Sequence, residues 1–311
     1  MRTTPVAIAL GLLLLAGNLP AQVAVPRTVQ VGGVRLEFLE WGKSGRTLIL
    51  VPGSCDTAFI FGDLAPRLAH QFRVLSFTPR GCPGSGTATD GYGIDAQLRE
   101  LVGFLDSHGI RRAVLAGHSS GGGKITRFAR LYPSRVDGLV YFDTVYSFIA
   151  PGLEEGMSEA IVKQLPPTPE RSLERFGAIE KAWERNVWSP ALERNAALVF
   201  NHVRPDDWWK SFRADMEGGR YFETAIAVRA LMFFAVRLDA ERLKQFDANT
   251  QAALKPLVDQ TEAKRREQIE AFRENGPHVR IVEMANTSHY CFAQEPESIA
   301  TAIRAFIRQL P

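Results

Sequence analysis

The apolar run Ala113-Val114-Leu115-Ala116 passes directly into Gly117-His118-Ser119-Ser120-Gly121 and then into a helix-like stretch. A buried strand that turns into a helix so abruptly crowds its backbone against both neighbours. Residues with almost no side chain are then needed two positions before and two after the central one. Gly117 and Gly121 fill those positions around Ser119. The turn would hold the Ser119 hydroxyl at a helix N-terminus, where the dipole and backbone N–H groups favour a developing oxyanion.

Strand and helix signals alternate on either side of this turn. Short runs near 28–31 and 34–41 read as a hairpin around Gly32-Gly33, followed by a strand at Leu48 and a helix over 57–69. A strand at Val74 precedes the turn Pro79-Arg80-Gly81-Cys82-Pro83-Gly84-Ser85-Gly86. Over 94–108, Leu98, Leu101, Val102 and Leu105 recur at helical spacing on one face. Val136–Phe142 and Ala230–Val236 read as further strands, and a long polar helical segment spans 241–275 with Pro256 as a candidate break. Such alternation implies a parallel sheet buried on both faces.

Near the C-terminus, Val279–Met284 reads as the last strand; Ala285-Asn286-Thr287-Ser288-His289 follows it, ahead of a helix starting at Pro296. Loops at the carboxyl ends of parallel strands share one edge of the sheet, so Ser119 and His289 can converge there. His289 is therefore the candidate general base among six histidines. His118 points inward in such a turn and reads as packing, while His70, His108, His202 and His278 lack motif support.

Composition bounds the alternatives. With 311 residues, 45% hydrophobic, 23% charged and a net charge of +3, the chain suits one large α/β domain with an insertion, not a disordered or collagenous class. Its basic residues are interleaved with acids, as in Glu262-Ala263-Lys264-Arg265-Arg266-Glu267, which reads as a solvated helix face and gives no sign of a nucleic-acid partner. Arg2, the apolar stretch Val6–Gly17 and the sequence Asn18-Leu19-Pro20-Ala21 read as a signal peptide over 1–21, hence export to a periplasmic or extracellular space. An uncleaved N-terminal anchor is the alternative. No later stretch is apolar enough for a stable membrane span. From 147 to 224 strand signals give way to helix-like segments carrying Trp183, Trp188, Phe200, Trp208, Trp209 and Phe212, a helical cap whose aromatics could line an apolar cavity or pack the cap onto the core.

Together these motifs resemble the α/β-hydrolase superfamily of lid-bearing esterases, lipases and dehalogenases. Val51-Pro52-Gly53-Ser54 is similar to the family's His-Gly oxyanion loop, with Pro52 at the usual His; Thr78-Pro79-Arg80-Gly81-Cys82-Pro83-Gly84-Ser85 is similar to its Asp-x-Arg-Gly turn, with Thr78 at the acid. Val140-Tyr141-Phe142-Asp143 resembles the end of the sixth strand and Ser288-His289 the histidine loop. The resemblance implies a mostly parallel eight-stranded α/β-hydrolase sheet with helices on both faces, its core at 27–146 and 225–311 and the cap at 147–224. It also implies backbone oxyanion donors at Ser54 and Ser120 and a triad acid after one of two strands. Asp143, 24 residues past Ser119, is favoured; Asp239 is the alternative.

The chemistry so implied needs no cofactor and no metal. His289 would take the Ser119 proton as the hydroxyl attacks a small-molecule acyl substrate, giving an acyl-enzyme that water then hydrolyses. Serine at the elbow argues against dehalogenase or epoxide-hydrolase chemistry, which resembles attack by a carboxylate. Acyl transfer, carbon–carbon hydrolysis with the same triad, and a non-catalytic binding protein of this fold remain open. In the implied strand order the strands ending near Cys55 and Cys82 are neighbours, so that pair could form a disulfide; independent buried thiols are the alternative, with Cys291 left over either way.

Overall fold

The computed structural model describes residues 24–54, 56–88, 91–144, 188–202, 210, 213–214, 226–236, 240, 243–285 and 287–311. The expected signal peptide, Cys55, most of the expected cap and Asp239 lie outside the described residues. Among the described residues, no helix is long and apolar enough to cross a membrane.

Eight strands form one sheet: β1 (Arg27–Val31), β2 (Val34–Trp41), β3 (Thr47–Val51), β4 (Arg73–Phe77), β5 (Ala113–His118), β6 (Val136–Phe142), β7 (Ala230–Val236) and β8 (Val279–Ala285). Their order is β1-β2-β4-β3-β5-β6-β7-β8. β2 pairs antiparallel with both β1 and β4, and every pairing from β4 through β8 is parallel. The β1–β2 turn has φ of 53° at Gly32 and 82° at Gly33. Two consecutive positive φ values are what a two-residue hairpin matching the strand twist requires, and glycine reaches them without strain.

Side chains alternate across the parallel strands, so both faces of the sheet are apolar. Leu48, Leu50, Val114, Ala116, Val140 and Phe142 point to one layer, closed by Ile299, Ile303 and Ile307 of a C-terminal helix. Ile49, Val51, Leu115, Leu139, Tyr141 and Met232 point to the other. The helices around the sheet are α1 (Ala65–Leu68), α2 (Ile94–Ser107), α3 (Ser120–Leu131), α4 (Pro190–His202), α5 (Ala248–Asn275), α6 (Cys291–Gln294) and α7 (Pro296–Arg308). In α2, Leu98, Leu101, Phe104 and Leu105 are buried; Val102, expected on that face, is only half-buried.

Two expectations about helices need correction. The single helix expected over 57–69 is instead a 3-10 turn, Ala58–Gly62, followed by the short α1. Pro66 lacks the N–H that would continue an earlier ladder, and the Thr57 side chain caps the turn by accepting from the Phe59 N–H. In the C-terminal half, α5 begins at Ala248, capped by Asp247, and continues through Pro256 without a break. Proline inside a helix costs about 3 kcal/mol. Burial of Leu254, Val258, Ile269 and Phe272 along α5 offsets that, since one fully buried large apolar side chain returns roughly 1.5–3 kcal/mol.

α4, which falls within the expected cap segment, docks on the 3-10 turn through buried Leu192, and its Ala191 Cβ would lie 3.0 Å from any Cβ placed on Gly62. This docking brings a helix far along the chain against the loop that leaves β3.

Candidate active site

β5 ends at His118 and α3 starts at Ser120, leaving Ser119 alone between strand and helix with φ 49° and ψ −123°. That positive φ is strained for a residue with a side chain and persists only where the surroundings enforce it. The Ser119 N–H donates to the Phe142 carbonyl at 3.1 Å, binding the turn to the end of β6. A Cβ on Gly117 would come within 2.6 Å of the Gly121 backbone, and one on Gly121 within 2.4 Å of the Val51 carbonyl oxygen. Both glycines are thus required by close backbone approach. Replacing Gly121 by alanine should destabilise the protein by roughly 1–3 kcal/mol, as overpacking does; urea denaturation of the variant against the native chain measures it.

Asp143 follows β6 in the row next to Ser119, because His118 pairs with Phe142 in the β5–β6 register. It too has a positive φ, 43°, a region that aspartate tolerates better than most residues. Its Oδ1 accepts from the Ala235 N–H at 3.0 Å, and its Oδ2 meets His289 Nδ1 at 2.7 Å. The carboxylate is thereby aimed along the sheet edge at the loop after β8. Burial pushes the Asp143 carboxyl up, but the hydrogen bond and charge of His289, the charge of Arg265 and the Ala235 N–H together hold it below the ordinary aspartate value.

This lowered pKa is also a statement about stability. A carboxyl whose folded pKa is depressed stabilises the fold above its unfolded pKa, and that contribution disappears as pH falls through the folded value. Native protein should therefore lose stability relative to an Asp143→Asn variant as pH drops below roughly 4. Denaturation curves of both proteins between neutral and acid pH check the sign.

The loop after β3 supplies the opposite wall. Ser54 Oγ donates to Ser120 Oγ at 3.0 Å, so the two residues expected to offer oxyanion N–H groups sit side by side. Ser120 opens α3, and the first N–H groups of a helix have no acceptor within it. At the position where the family's turn carries an acid, Thr78 Oγ1 accepts from the Ala58 N–H at 3.1 Å, which braces the 3-10 turn.

His118 does turn inward, being 1% exposed, and it packs with hydrogen-bonding partners as well as rings. Its ring lies 4.4 Å from that of His289, centroid to centroid, and its Nε2 donates to the His289 backbone carbonyl at 3.2 Å. Two further residues that sequence reasoning did not single out belong to the same neighbourhood. Asp56 Oδ2 faces His118 Nδ1 at 3.5 Å, and Asn195 of α4 donates to Asp56 Oδ1 at 2.8 Å. Neither sits in a motif that would have marked it. Cys291 is buried, and desolvation with the nearby Asp143 charge pushes its thiol well up, which makes it a poor nucleophile. Among the described residues, no group of three or more His, Cys, Asp or Glu side chains could hold a metal ion.

The fold has known counterparts. A model described as "Alpha/beta hydrolase family" matches residues 48–302. N-formylmaleamate deformylase of Pseudomonas putida is 39% identical over 30% of this chain, and the chain spans only 35% of that relative's length. A 2-heptyl-3-hydroxy-4-quinolone dioxygenase of Rhodococcus erythropolis is 23% identical over 90% of this chain and 97% of its own. Among solved structures, a serine hydrolase from the polyaromatic hydrocarbon-degrading bacterium Cycloclasticus zankles superposes with a TM-score of 0.67 at 18% identity, covering 92% of this chain and 98% of that one. The shared sheet, and a family model matched along most of the sequence from β3 into α7, place this chain in the alpha/beta hydrolase family.

Proposed function

We propose that the protein is an exported serine hydrolase that cleaves a small carboxylic ester, or a related acyl substrate, through Ser119, His289 and Asp143. The observation that carries this reading is the 2.7 Å contact between Asp143 Oδ2 and His289 Nδ1 on the sheet edge that bears the Ser119 elbow. A carboxylate on Nδ1 keeps the proton there and leaves Nε2 as the base, the tautomer a serine nucleophile needs. His289 takes the hydroxyl proton as Ser119 Oγ attacks the acyl carbon. The Ser54 and Ser120 N–H groups stabilise the tetrahedral oxyanion, and the same imidazole then protonates the leaving alkoxide. Water activated by His289 attacks the acyl-enzyme and regenerates the hydroxyl.

We assign the acid role to Asp143 because its Oδ2 meets His289 Nδ1 at 2.7 Å; Asp239, which lies outside the described residues, remains the alternative acid. A cap over 147–224 would close the site and select for an apolar or mixed acyl group. Relatives whose names cover a deformylase and a dioxygenase show how little the common framework fixes the substrate. A panel of p-nitrophenyl esters of increasing acyl length, run with and without a competing alcohol, tests the reading. Turnover of short or medium esters to free acid supports it; ester products with the alcohol would mark an acyltransferase instead, and no turnover or acylation by any ester would overturn it.

A further inference from the structure

Behind the elbow lies a second acid–imidazole contact that the chemistry above does not use. His118 Nε2 is 3.2 Å from the His289 carbonyl, and a carbonyl only accepts, so Nε2 carries a proton. In a neutral ring Nδ1 is then a lone pair. It is buried, has no hydrogen-bond partner, and faces Asp56 Oδ2 at 3.5 Å. Two buried acceptors face to face repel, and one proton between them removes the conflict. The other carboxylate oxygen is already committed: Asn195 Oδ1 accepts from the Thr57 N–H at 2.8 Å and the Thr57 hydroxyl at 2.7 Å, which turns Asn195 Nδ2 toward Asp56 Oδ1 at 2.8 Å. Gly53 leaves the space in which the two groups meet. A Cβ there would lie 3.2 Å from both Asp56 Oδ2 and His118 Nδ1, and 3.1 Å from the Ser119 Cβ.

We propose that Asp56 and His118 share one proton and act as a positioning pair, tying α4 and the loop after β3 to the backbone of the catalytic histidine. The chain of contacts runs from Asn195 through Asp56 and His118 to the His289 carbonyl, while the His289 ring is held separately by Asp143. His289 is thus fixed at two points, ring and main chain, by two different carboxylates. The groups facing His118 are Asp56 from the loop after β3, the rings of His289, Tyr290 and Phe292 from beyond β8, and the Asp143 charge from the end of β6. Burial and the His289 charge push the His118 imidazole below its ordinary value, against the two carboxylates.

The inference rests on the serine-hydrolase reading for its effect on rate, but its proton can be observed without any activity. The side-chain nitrogen spectrum of 15N-histidine-labelled protein, with His118 assigned from a His118→Phe variant, should show Nε2 protonated and Nδ1 hydrogen-bonded at neutral pH. Asp56→Ala should return Nδ1 to an unbonded lone pair. An unbonded Nδ1 in the native protein, unmoved by Asp56→Ala, would overturn the proposal even if no substrate were ever found.

Labelling of Ser119 by a fluorophosphonate gives the second readout. Misplacing a catalytic group slightly costs up to about a hundredfold, so Asp56→Ala and His118→Phe should slow labelling by roughly ten- to a hundredfold, through kcat and with KM for an ester within about twofold. Asp56→Asn offers an N–H to Nδ1 and a carbonyl to Asn195, a fixed copy of the shared proton, and should label within about threefold of native. Folded Asp56→Ala that labels at the native rate, or Asp56→Asn as slow as Asp56→Ala, would overturn the proposal. Failure of the native protein itself to label would strike the serine-hydrolase reading and leave the nitrogen spectrum to decide the pair.

Discussion

Ser119→Ala should lower ester turnover by on the order of a millionfold, the loss seen when a serine nucleophile working with its base is removed. The substitution takes away one oxygen and no carbon, and every backbone bond of the elbow, including the Ser119 N–H to the Phe142 carbonyl, remains available. KM and melting temperature should therefore change little while kcat collapses. Steady-state kinetics of carefully purified variant, with active-site titration to exclude native contaminant, make the comparison. A variant within tenfold of native would mean that the hydroxyl is not the attacking group.

Asp143→Asn should cost about 10⁴-fold in kcat. Asparagine tolerates the positive φ of 43° found at this position, so the backbone can stay as it is. Its carbonyl can still accept from the Ala235 N–H, which leaves the amide NH₂ facing His289 Nδ1. An amide donor there forces the proton onto Nε2, where it points at the serine instead of away from it. The defect is thus in the tautomer and not in the fold, and raising the pH should not restore the rate by protonation chemistry. Loss of less than tenfold would reassign the acid and bring Asp239 back into question.

Much of this was legible in the sequence where a local rule had a single solution. Gly117 and Gly121 marked the elbow because no side chain fits beside the Gly121 backbone or the Val51 carbonyl. Gly32-Gly33 marked the hairpin because two positive φ values in succession favour glycine. The alternating strand and helix signals implied the parallel sheet, and the sheet in turn brought the loops after β5, β6 and β8 to one edge.

What escaped was set by tertiary contact between distant segments. Nothing near Asp56 or Asn195 announces that α4 reaches back to the loop after β3, where Asn195 donates to the buried Asp56 carboxylate. The same docking explains why the segment after Thr57 is a 3-10 turn: its capping residue is held by Asn195. His118 read as packing because a histidine beside a nucleophile has no motif of its own, yet its two nitrogens face groups from β8's loop and β3's loop. Pro256 is a candidate break by sequence, and burial along α5 offsets its cost.

The central claim is that the Ser119 oxygen is the nucleophile driven by His289. Peptide mass mapping after exposure of the native protein to a fluorophosphonate tests it most directly. The account predicts one phosphonylated residue, Ser119, with the adduct lost in Ser119→Ala and strongly slowed in His289→Ala. An adduct on any other side chain, or an undiminished adduct without the imidazole, would contradict it.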